Sequence, residues 1–421
     1  MKFEMEFKDF GVCVTDFNEI GYKVELVGNE ICIFDDTTNS YQSWNITKEE
    51  LEDELYACWK ERIKEKRYSL EAFRFERNLG YHIQVLANHI LDRSWKPDGY
   101  FEFMVYHPAR IISAPYYRDR IVEQWLTDRF VKPFLEPKLH PFNVACRKNC
   151  GPPKAHNELL RILKDMYEKY GLDFYYIQFD VSKYYDNLSH SKIADLFLGM
   201  EELGYILFMN IINNWKYEGE NAYALKDFPN EEFGVPKGNL PSQWVGLAYL
   251  NELDWKISGR PDCEGYVRYA DDFIVFFHTK KSCKDCKIKT EQYLKDNKLG
   301  IKLHPTKTHY SPIKQGFTFC GWRYVIDSNG SIQCLVKNER KKVIKKNRKR
   351  MTIAYFEKKL TKNDVIAKIN GTDAFIKQGD TKKFQRYLKY RFSFTRDEVK
   401  FKQDKTHMFK RKKTRRNDNE N

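Results

Sequence analysis

Residues 266–277, Tyr-Val-Arg-Tyr-Ala-Asp-Asp-Phe-Ile-Val-Phe-Phe, contain two apolar runs that flank two adjacent acidic residues, Asp271 and Asp272. Short apolar runs of this composition predict two β-strands joined by an acidic turn. Neighbouring carboxylates repel one another and strand side chains alternate between faces, so folding alone gives no reason for the pair. A divalent cation gives one, because Mg²⁺ takes oxygen ligands and bridges carboxylates to substrate phosphates. A solvated hairpin turn is the alternative interpretation of Asp-Asp taken alone.

A second predicted strand favours the metal interpretation. The apolar run at 174–179, Phe-Tyr-Tyr-Ile-Gln-Phe, ends directly on Asp180. Two strands that deliver three carboxylates to one edge form the arrangement that two-metal phosphoryl transfer requires. In that chemistry one metal activates the attacking 3′ oxygen and the other stabilises the leaving pyrophosphate.

The composition fits a globular chain of several modules. The 421 residues carry 73 Lys and Arg against 59 Asp and Glu, a net charge of +14, and 42% of them are hydrophobic. These values exclude a disordered or fibrous chain. No run approaches the roughly 20 apolar residues of a membrane span, and the charged start shows no signal peptide. Ten cysteines are too few for a disulfide scaffold, so we expect reduced thiols, a cytoplasmic location and no membrane partner.

The positive charge is concentrated near the carboxyl end. Residues 337–350 hold nine Lys or Arg and one Glu, and residues 405–416 hold seven Lys or Arg and no acid. Such clustering indicates a polyanionic partner. The alternative is a solvated helix face followed by a disordered tail. If the first segment forms a helix, we expect Val343 and Ile344 to face the body of the protein.

Both strands and helices are predicted along the chain. Short strands are expected within residues 1–50 and over 101–113, in addition to the two acidic strands. Predicted helices cover residues 68–95, 119–136, 156–170, 189–199, 206–215, 242–257, 280–298 and much of 337–400.

Five ordered segments resemble the palm motifs of reverse transcriptases. They are FDVSKYYDNL (179–188), GVPKGNLPSQ (234–243), YADD (269–272), KLHPTKT (302–308) and FTFCGWR (317–323). Upstream, residues 105–126 resemble the fingers motif of that family, and residues 145–163 resemble its next motif. The set is most similar to the bacterial branch of group II intron, diversity-generating retroelement, retron and defence-associated enzymes. The resemblance implies an α+β fold, a right-hand polymerase with fingers, a palm built on an antiparallel sheet with helices, and a helical thumb.

The resemblance also implies a role for each residue at a motif position. Asp180, Asp271 and Asp272, with the backbone of Val181, would hold two Mg²⁺ ions, with Mn²⁺ as an alternative. Tyr185 would be the steric gate against a 2′-hydroxyl, or else a simple core aromatic. Lys307 would protonate the departing pyrophosphate, or else be an exposed loop lysine. The other substrate-binding residues would be Arg110, Lys237, Gly238, Ser242 and Gln243. The residues in contact with nucleic acid would be Phe319, Gly321, Trp322, Lys345, Lys346, Arg348 and Lys349.

Several positions depart from the family pattern. Lys237 stands where a glutamine is usual, and Gln243 stands where a proline usually follows the motif serine. The Ser-Gln ending is typical of the diversity-generating and defence groups, whereas Ala270 is more similar to the intron and retron enzymes. A lysine expected upstream of Arg110 is absent. The lineage within the bacterial branch therefore stays open, and Lys237 is expected to affect base or sugar discrimination.

The implied organisation and function complete the prediction. The chain would make cDNA from dNTPs on a dedicated noncoding RNA, since the 85 residues after 336 are too few for the additional modules of mobile introns. Antiviral (phage) defence is the expected context, because residues 1–60 match nothing expected of the diversity-generating enzymes. It would act alone, as a homo-oligomer or with an accessory protein. The alternatives are a diversity-generating enzyme, a template-independent or RNA-synthesising polymerase, and a non-enzymatic RNA-binding scaffold. The expected segments are an N-terminal extension (1–59), fingers (60–175), palm (176–336), a basic helical thumb (337–400) and a basic flexible tail (401–421).

Overall fold

The computed structural model describes the strands at 22–27, 30–35 and 40–42, and then residues 46–392 with gaps at 67–68, 107–108, 216–222 and 229–230. The predicted basic tail at 401–421 lies outside the described residues. The strands are β1 (Tyr22–Val27), β2 (Glu30–Asp35), β3 (Ser40–Gln42), β4 (Tyr100–Tyr106), β5 (Ala109–Pro115), β6 (Tyr175–Asp180), β7 (Gly265–Tyr269), β8 (Asp272–Phe277), β9 (His309–Pro312), β10 (Phe317–Phe319), β11 (Trp322–Ile326) and β12 (Ile332–Val336).

Helices occupy most of the remaining described chain. They are α1 (Lys48–Lys66), α2 (Leu70–Arg77), α3 (Leu79–Leu91), α4 (Tyr117–Leu126), α5 (Lys132–Leu135), α6 (Pro152–Tyr170), α7 (His190–Phe197), α8 (Glu202–Asn213), α9 (Ala224–Asp227), α10 (Leu240–Ala248), α11 (Asn251–Ser258), α12 (Lys280–Asp296), α13 (Asn338–Phe356), α14 (Lys362–Ile376) and α15 (Lys382–Arg391). None of these helices is long and apolar enough to cross a membrane. The predicted α+β class is confirmed.

The central sheet joins strands that are far apart in sequence. Its order is β7-β8-β6-β9 and all of its pairings are antiparallel. Two other antiparallel units flank it along the chain, the hairpin β4-β5 before it and the three-stranded sheet β10-β11-β12 after it. Both acidic strands of the prediction, β6 and β8, are therefore neighbours in one sheet.

Both faces of the central sheet are buried, which explains why its strands read as continuous apolar runs. On β8, Phe273 and Val275 belong to one core cluster, which also contains buried residues of α10 and α11. Ile274 and Phe276, on the opposite face, belong to a second cluster with residues of α6 and of β10 to β12. Burying each such side chain stabilises the fold by about 1.5–3 kcal/mol, so the sheet forms a rigid base for its edge residues.

Three expectations about elements are wrong in detail. The helix predicted over 242–257 is two helices, α10 and α11, separated at Tyr249 and Leu250. Helix α1 runs through the proposed boundary between residues 59 and 60, and its Leu51 and Leu55 are buried in the same core as residues of α3 and α4. A division at 59 would cut this helix, because its apolar positions continue across that point.

The third difference concerns the basic helix α13. Ile344 is buried as expected, but the side chain of Val343 is 54% exposed. Arg348 lies four residues after Ile344, on the same face of the helix, and is buried with it. Its guanidinium pairs with Asp373 on α14, so the buried face of α13 runs from Ile344 to a charged residue and leaves Val343 outside it.

Candidate active site

The acidic turn between β7 and β8 lies beside the end of β6. Tyr269 pairs with Asp272 across the turn residues Ala270 and Asp271, and Ala270 has a φ of 58°, in the left-handed region. Asp180, the last residue of β6, is the direct partner of Asp272 on the neighbouring strand. Residues directly opposite one another in an antiparallel pair have Cβ atoms about 4.5–5.5 Å apart on one face. Strand pairing therefore brings Asp180 and Asp272 together, and the turn carries Asp271 next to them.

The electrostatics of these carboxylates are those of crowded negative charge. Burial, followed by the charges of Asp271 and Asp180, raises the pKa of Asp272 to about 7. Burial also raises the pKa of Asp271, and the charge of Asp180 acts in the same direction. A bound cation relieves such repulsion, and hard carboxylate oxygens are ligands that suit Mg²⁺ or Mn²⁺. The chemistry of the donor set therefore fits the predicted metal ions.

Lys307 lies against the first of these carboxylates. Its ammonium is 3.2 and 3.1 Å from the two side-chain oxygens of Asp180 and is largely exposed. The loop before β9 holds it there, because the backbone N–H of His304 and the hydroxyl of Thr308 both donate to the Asp180 carbonyl, at 2.7 and 3.3 Å. Among the described residues, no three His, Cys, Asp or Glu side chains stand together as a complete metal site. The structure thus joins Asp180 to Asp272 and to Lys307 without completing a ligand set.

The ring of Tyr185 packs against Gly246 of α10. The hydroxyl of Tyr184 donates to the Gly246 carbonyl at 2.9 Å, and a Cβ added to Gly246 would come within 2.8 Å of the Tyr185 hydroxyl. The two tyrosine rings meet edge to face with centroids 5.4 Å apart. Burial, followed by the charge of Asp271, raises the pKa of Tyr185. Tyr185 is thus a neutral, half-buried ring close to the acidic turn, as a nucleotide gate requires.

The loop that contains Lys237 and Gly238 connects this region to the β4-β5 hairpin. The Lys237 carbonyl accepts a hydrogen bond from the Ser113 N–H at 2.9 Å. Gly238 has a φ of 143°, and a Cβ there would come within 2.8 Å of the Ser113 carbonyl oxygen. Gly238 therefore has to be glycine because its backbone packs closely against Ser113 of β5. The ammonium of Lys237 pairs with the buried Asp186, the residue after Tyr185.

Three further predicted substrate-binding residues differ in exposure. Ser242 is buried in the first turn of α10, where its N–H donates to the capping side chain of Asn239 at 2.9 Å. Gln243 is exposed on the same helix, and Arg110 is exposed on β5, opposite Val105. The structure therefore leaves Gln243 and Arg110 accessible to a substrate and makes Ser242 part of the helix start.

Comparisons with known proteins agree with this geometry. The family described as "Reverse transcriptase (RNA-dependent DNA polymerase)" matches residues 106–324, just over half of the chain. The chain belongs to the reverse transcriptase family. It is also 23% identical to Protein YkfC of Escherichia coli (strain K12) over 283 residues, which cover 59% of this chain and 72% of that protein.

Two solved structures of apo telomerase from Candida tropicalis are similar over part of their length. One covers 57% of this chain and 49% of that one, with 14% identity and a TM-score of 0.39. The other, truncated from its C-terminal domain, covers 54% and 52%, with 15% identity and a TM-score of 0.38. The reverse transcriptase thus spans about half the length of these telomerase chains.

Membership of this family establishes the general reaction. The protein is an RNA-directed DNA polymerase of the bacterial reverse transcriptase type, and it uses a nucleic-acid template, dNTPs and divalent metal ions. The predicted family and enzyme class are confirmed.

The hairpin predicted to hold the primer has its two large side chains buried in the reverse transcriptase. Phe319 and Trp322 are buried in the second core cluster. Between them, Cys320 and Gly321 form the turn from β10 to β11, with φ values of 46° and 84°. Contact of this hairpin with nucleic acid is therefore left to the turn backbone and to exposed side chains such as Arg323, because Phe319 and Trp322 are committed to packing.

The cationic side chains predicted to contact nucleic acid from the basic helix α13 are of two kinds, exposed lysines and one buried arginine. Lys345, Lys346 and Lys349 are exposed on α13, and the Lys345 ammonium lies 4.5 Å from the centre of the Tyr387 ring on α15. Arg348 is buried against Asp373, so a phosphate contact by its guanidinium is not supported by its position.

Val181 continues β6 beyond Asp180 and forms an isolated bridge with Leu303.

Sequence reasoning missed several residues that shape this site, namely Arg268, Asp254, Asp186 and Gly246. A signal for Arg268 was available, because a charged residue within an otherwise apolar strand next to the acidic turn needs a buried partner. The others had no such signal, since their importance comes from contacts between segments distant in sequence.

Proposed function

We propose that Asp180, Asp271 and Asp272, with the backbone of Val181, hold two Mg²⁺ ions, for which Mn²⁺ can substitute. The observation that carries this proposal is the direct pairing of Asp180 with Asp272 beside the acidic turn. When bound, the ions would supply Lewis-acid activation of the primer 3′ oxygen and neutralisation of the departing pyrophosphate. Burial, followed by the charges of Asp271 and Asp180, raises the pKa of Asp272, and this is consistent with a site built for cations.

The remaining residues would bind the nucleotide and move a proton. Lys307, exposed and next to Asp180, is suited to donate a proton to the leaving pyrophosphate as a general acid. Arg110 offers an accessible guanidinium fork for the triphosphate. Tyr185 would pack under the sugar and exclude a 2′-hydroxyl, and this favours DNA synthesis over the alternative of RNA synthesis. Lys237, held by Asp186 next to the gate, would adjust the choice of nucleotide.

We further propose that the enzyme copies a dedicated noncoding RNA in antiviral defence. The support is the Ser242-Gln243 ending, which resembles the defence and diversity-generating groups. The exposed lysines of α13 supply a surface for the template–primer duplex. We retain the assignment of fingers, palm and thumb as part of this proposal, with the start of the fingers moved to include α1. A homo-oligomer or an accessory protein remains compatible with it.

Substitution of the turn carboxylates tests the catalytic proposal. Asp271→Asn and Asp272→Asn should each abolish Mg²⁺-dependent dNTP incorporation while RNA affinity stays near that of the wild type. Asp296→Asn, an exposed acid at the end of α12, is the matched control and should keep full activity. Wild-type incorporation of dNTP by either turn variant would refute the metal assignment. A wild-type protein that binds RNA but incorporates no dNTP would favour the scaffold alternative.

The biological proposal needs a separate experiment. RNA and DNA that co-purify with the wild-type protein and with Asp271→Asn from the native host should be sequenced. We expect one noncoding RNA with both proteins and its complementary DNA only with the wild type. Phage plating on hosts with each allele should show protection only with the wild type. Equal plating would refute the defence role and leave the polymerase assignment intact.

A further inference from the structure

A fully buried arginine lies directly behind the acidic turn. Arg268 is on β7, two residues before Ala270, and its side chain is inaccessible to solvent. Its guanidinium donates to the Ala270 carbonyl at 2.9 Å, so it is bonded to the backbone of the turn that carries Asp271 and Asp272. Neither the proposed metal ligands nor the proposed nucleotide contacts include this residue.

The same guanidinium holds the end of α10. It donates to the carbonyls of Gly246 and Leu247, at 3.2 and 2.6 Å. The last carbonyls of a helix lack partners within the helix, and a cationic side chain satisfies them well. This cap explains why the predicted long helix stops and restarts as α11. Gly246 is also the residue on which Tyr185 lies.

A buried carboxylate fixes the orientation of the guanidinium. Asp254, on α11, accepts from the Nε and Nη2 groups of Arg268 at 3.0 and 2.8 Å. The Tyr266 hydroxyl donates to the other oxygen of Asp254 at 2.6 Å. A planar fork held by two bonds to one carboxylate can aim its remaining N–H groups at only one set of acceptors. The direction of the bonds to the turn and to α10 is therefore determined.

We propose that Arg268 is a positioning residue that sets the spacing between the metal-binding turn and the sugar gate. A single nitrogen of this rigid group, Nη1, donates to both the Ala270 and the Gly246 carbonyls. Movement of the guanidinium would therefore displace the carboxylates and the support of Tyr185 together. This inference rests on the proposed roles of the acidic turn and Tyr185, and it assigns to Arg268 a joint effect on metal use and on sugar selectivity.

Arg268→Lys is the principal test, because it keeps the charge and loses the fork. Three quantities should be measured on the full-length protein: kcat/KM for dNTP, the Mg²⁺ concentration for half-maximal rate, and the ratio of kcat/KM for dNTP to that for rNTP. We expect a loss of about tenfold or more in the first, since small misplacements of reacting groups are costly. The Mg²⁺ requirement should rise and the sugar ratio should fall, each by about threefold or more. A purely structural role would lower the active fraction and leave these last two quantities unchanged.

Two further variants keep the proposal testable if the first one folds poorly. Arg268→Gln combined with Asp254→Asn removes both buried charges, so no unpaired charge is left in the core. This double variant should be folded in thermal unfolding and still show the altered Mg²⁺ requirement and sugar ratio. Arg260→Lys is the matched control, because Arg260 makes an equivalent fork to Asp262 and Asp285 before β7, at the end of the strand remote from the turn. It should stay within about twofold of the wild type, the range of an unperturbed site.

The outcomes separate this inference from the proposed function. A folded Arg268 variant with the wild-type Mg²⁺ requirement and sugar ratio would overturn the positioning role, as would the same changes in Arg260→Lys. If instead Asp271→Asn is active, or Tyr185→Ala leaves the sugar ratio unchanged, the proposed function fails before the role of Arg268 is reached.

Discussion

Replacement of Gly246 by alanine tests the sugar gate without removing its ring. A Cβ at this position would lie 2.8 Å from the Tyr185 hydroxyl and 3.2 Å from two of its ring carbons. Ordinary contact begins at 3.4 Å, so the hydroxyl end of the ring has to move by about 0.6 Å. Because α10 lies beneath the ring, the displacement is away from the helix, toward the face on which the sugar would pack.

The energetic effects on folding and on nucleotide binding are separable. Alanine in place of a helical glycine stabilises a helix by about 0.5–1 kcal/mol, and the extra methyl in a packed site costs about 1–3 kcal/mol. The folded state should therefore lose at most about 2.5 kcal/mol. A narrower sugar site that costs about 1.4 kcal/mol would raise the KM for dNTP about tenfold. Selectivity against rNTP should be kept or increased, because the ring moves toward the 2′ position.

The assay is single-nucleotide incorporation on an RNA template with a DNA primer, measured separately with dNTP and rNTP and combined with thermal unfolding. Gly371→Ala is the matched control, since this glycine is also helical and an added Cβ there meets nothing within 4 Å. It should raise the unfolding temperature and leave KM unchanged. A folded Gly246→Ala enzyme with wild-type KM and selectivity would show that the Tyr185 ring does not face the nucleotide.

Three other outcomes are expected. Tyr185→Ala should move the ratio of kcat/KM values toward rNTP, opposite to Gly246→Ala, and an unchanged ratio would make Tyr185 a core residue. Exchange of Lys345, Lys346 and Lys349 for glutamine should reduce the slope of log K against log salt by about 2–3 units in a titration of duplex binding, if each lysine contacts one phosphate. Burial raises the pKa of Glu123 to about 8, against about 4.3 in an unfolded chain. The native state keeps a proton that the unfolded chain loses, so wild-type stability falls as pH rises from about 4 to 8. Relative to the wild type, Glu123→Gln should therefore gain most in melting temperature at pH 8 and little or nothing at pH 4, and no difference at pH 8 would contradict the raised pKa.

The catalytic strands could be predicted because their pattern is local. The apolar runs before Asp180 and around Asp271 identify strands that are buried on both faces. Their acidic ends identify the edge of the sheet at which the metal site is proposed. That two strands bring their carboxylates to one edge could be proposed from the sequence, but the register that pairs Asp180 with Asp272 could not be derived from periodicity. Register between strands depends on packing across the whole sheet, which no short segment contains.

Other features depended on tertiary contacts that the sequence does not reveal. The buried face of α13 contains Ile344 as expected, but Arg348, paired with Asp373, is buried there and Val343 is not. A charge count treats Lys and Arg alike and therefore could not single out the one cation that forms a buried ion pair. Phe319 and Trp322 match a primer-binding motif, yet they fill the core beneath it. A motif therefore located the hairpin correctly without distinguishing the side chains that contact a ligand from those that support its backbone.

The order of strands in the central sheet also governs how the chain matures on the ribosome. Strand β6 is completed at residue 180, but its neighbours β8 and β9 end at residues 277 and 312. At a synthesis rate of about 5–20 residues per second, β6 waits about 5–20 s for its first partner. During this time the backbone groups on both of its edges are unpaired. Helices α1 to α6 are complete before that wait and can shield one face of β6. A chain that ends between these strands is therefore expected to expose the apolar side chains of β6, to aggregate, and to lack polymerase activity until the palm is nearly complete.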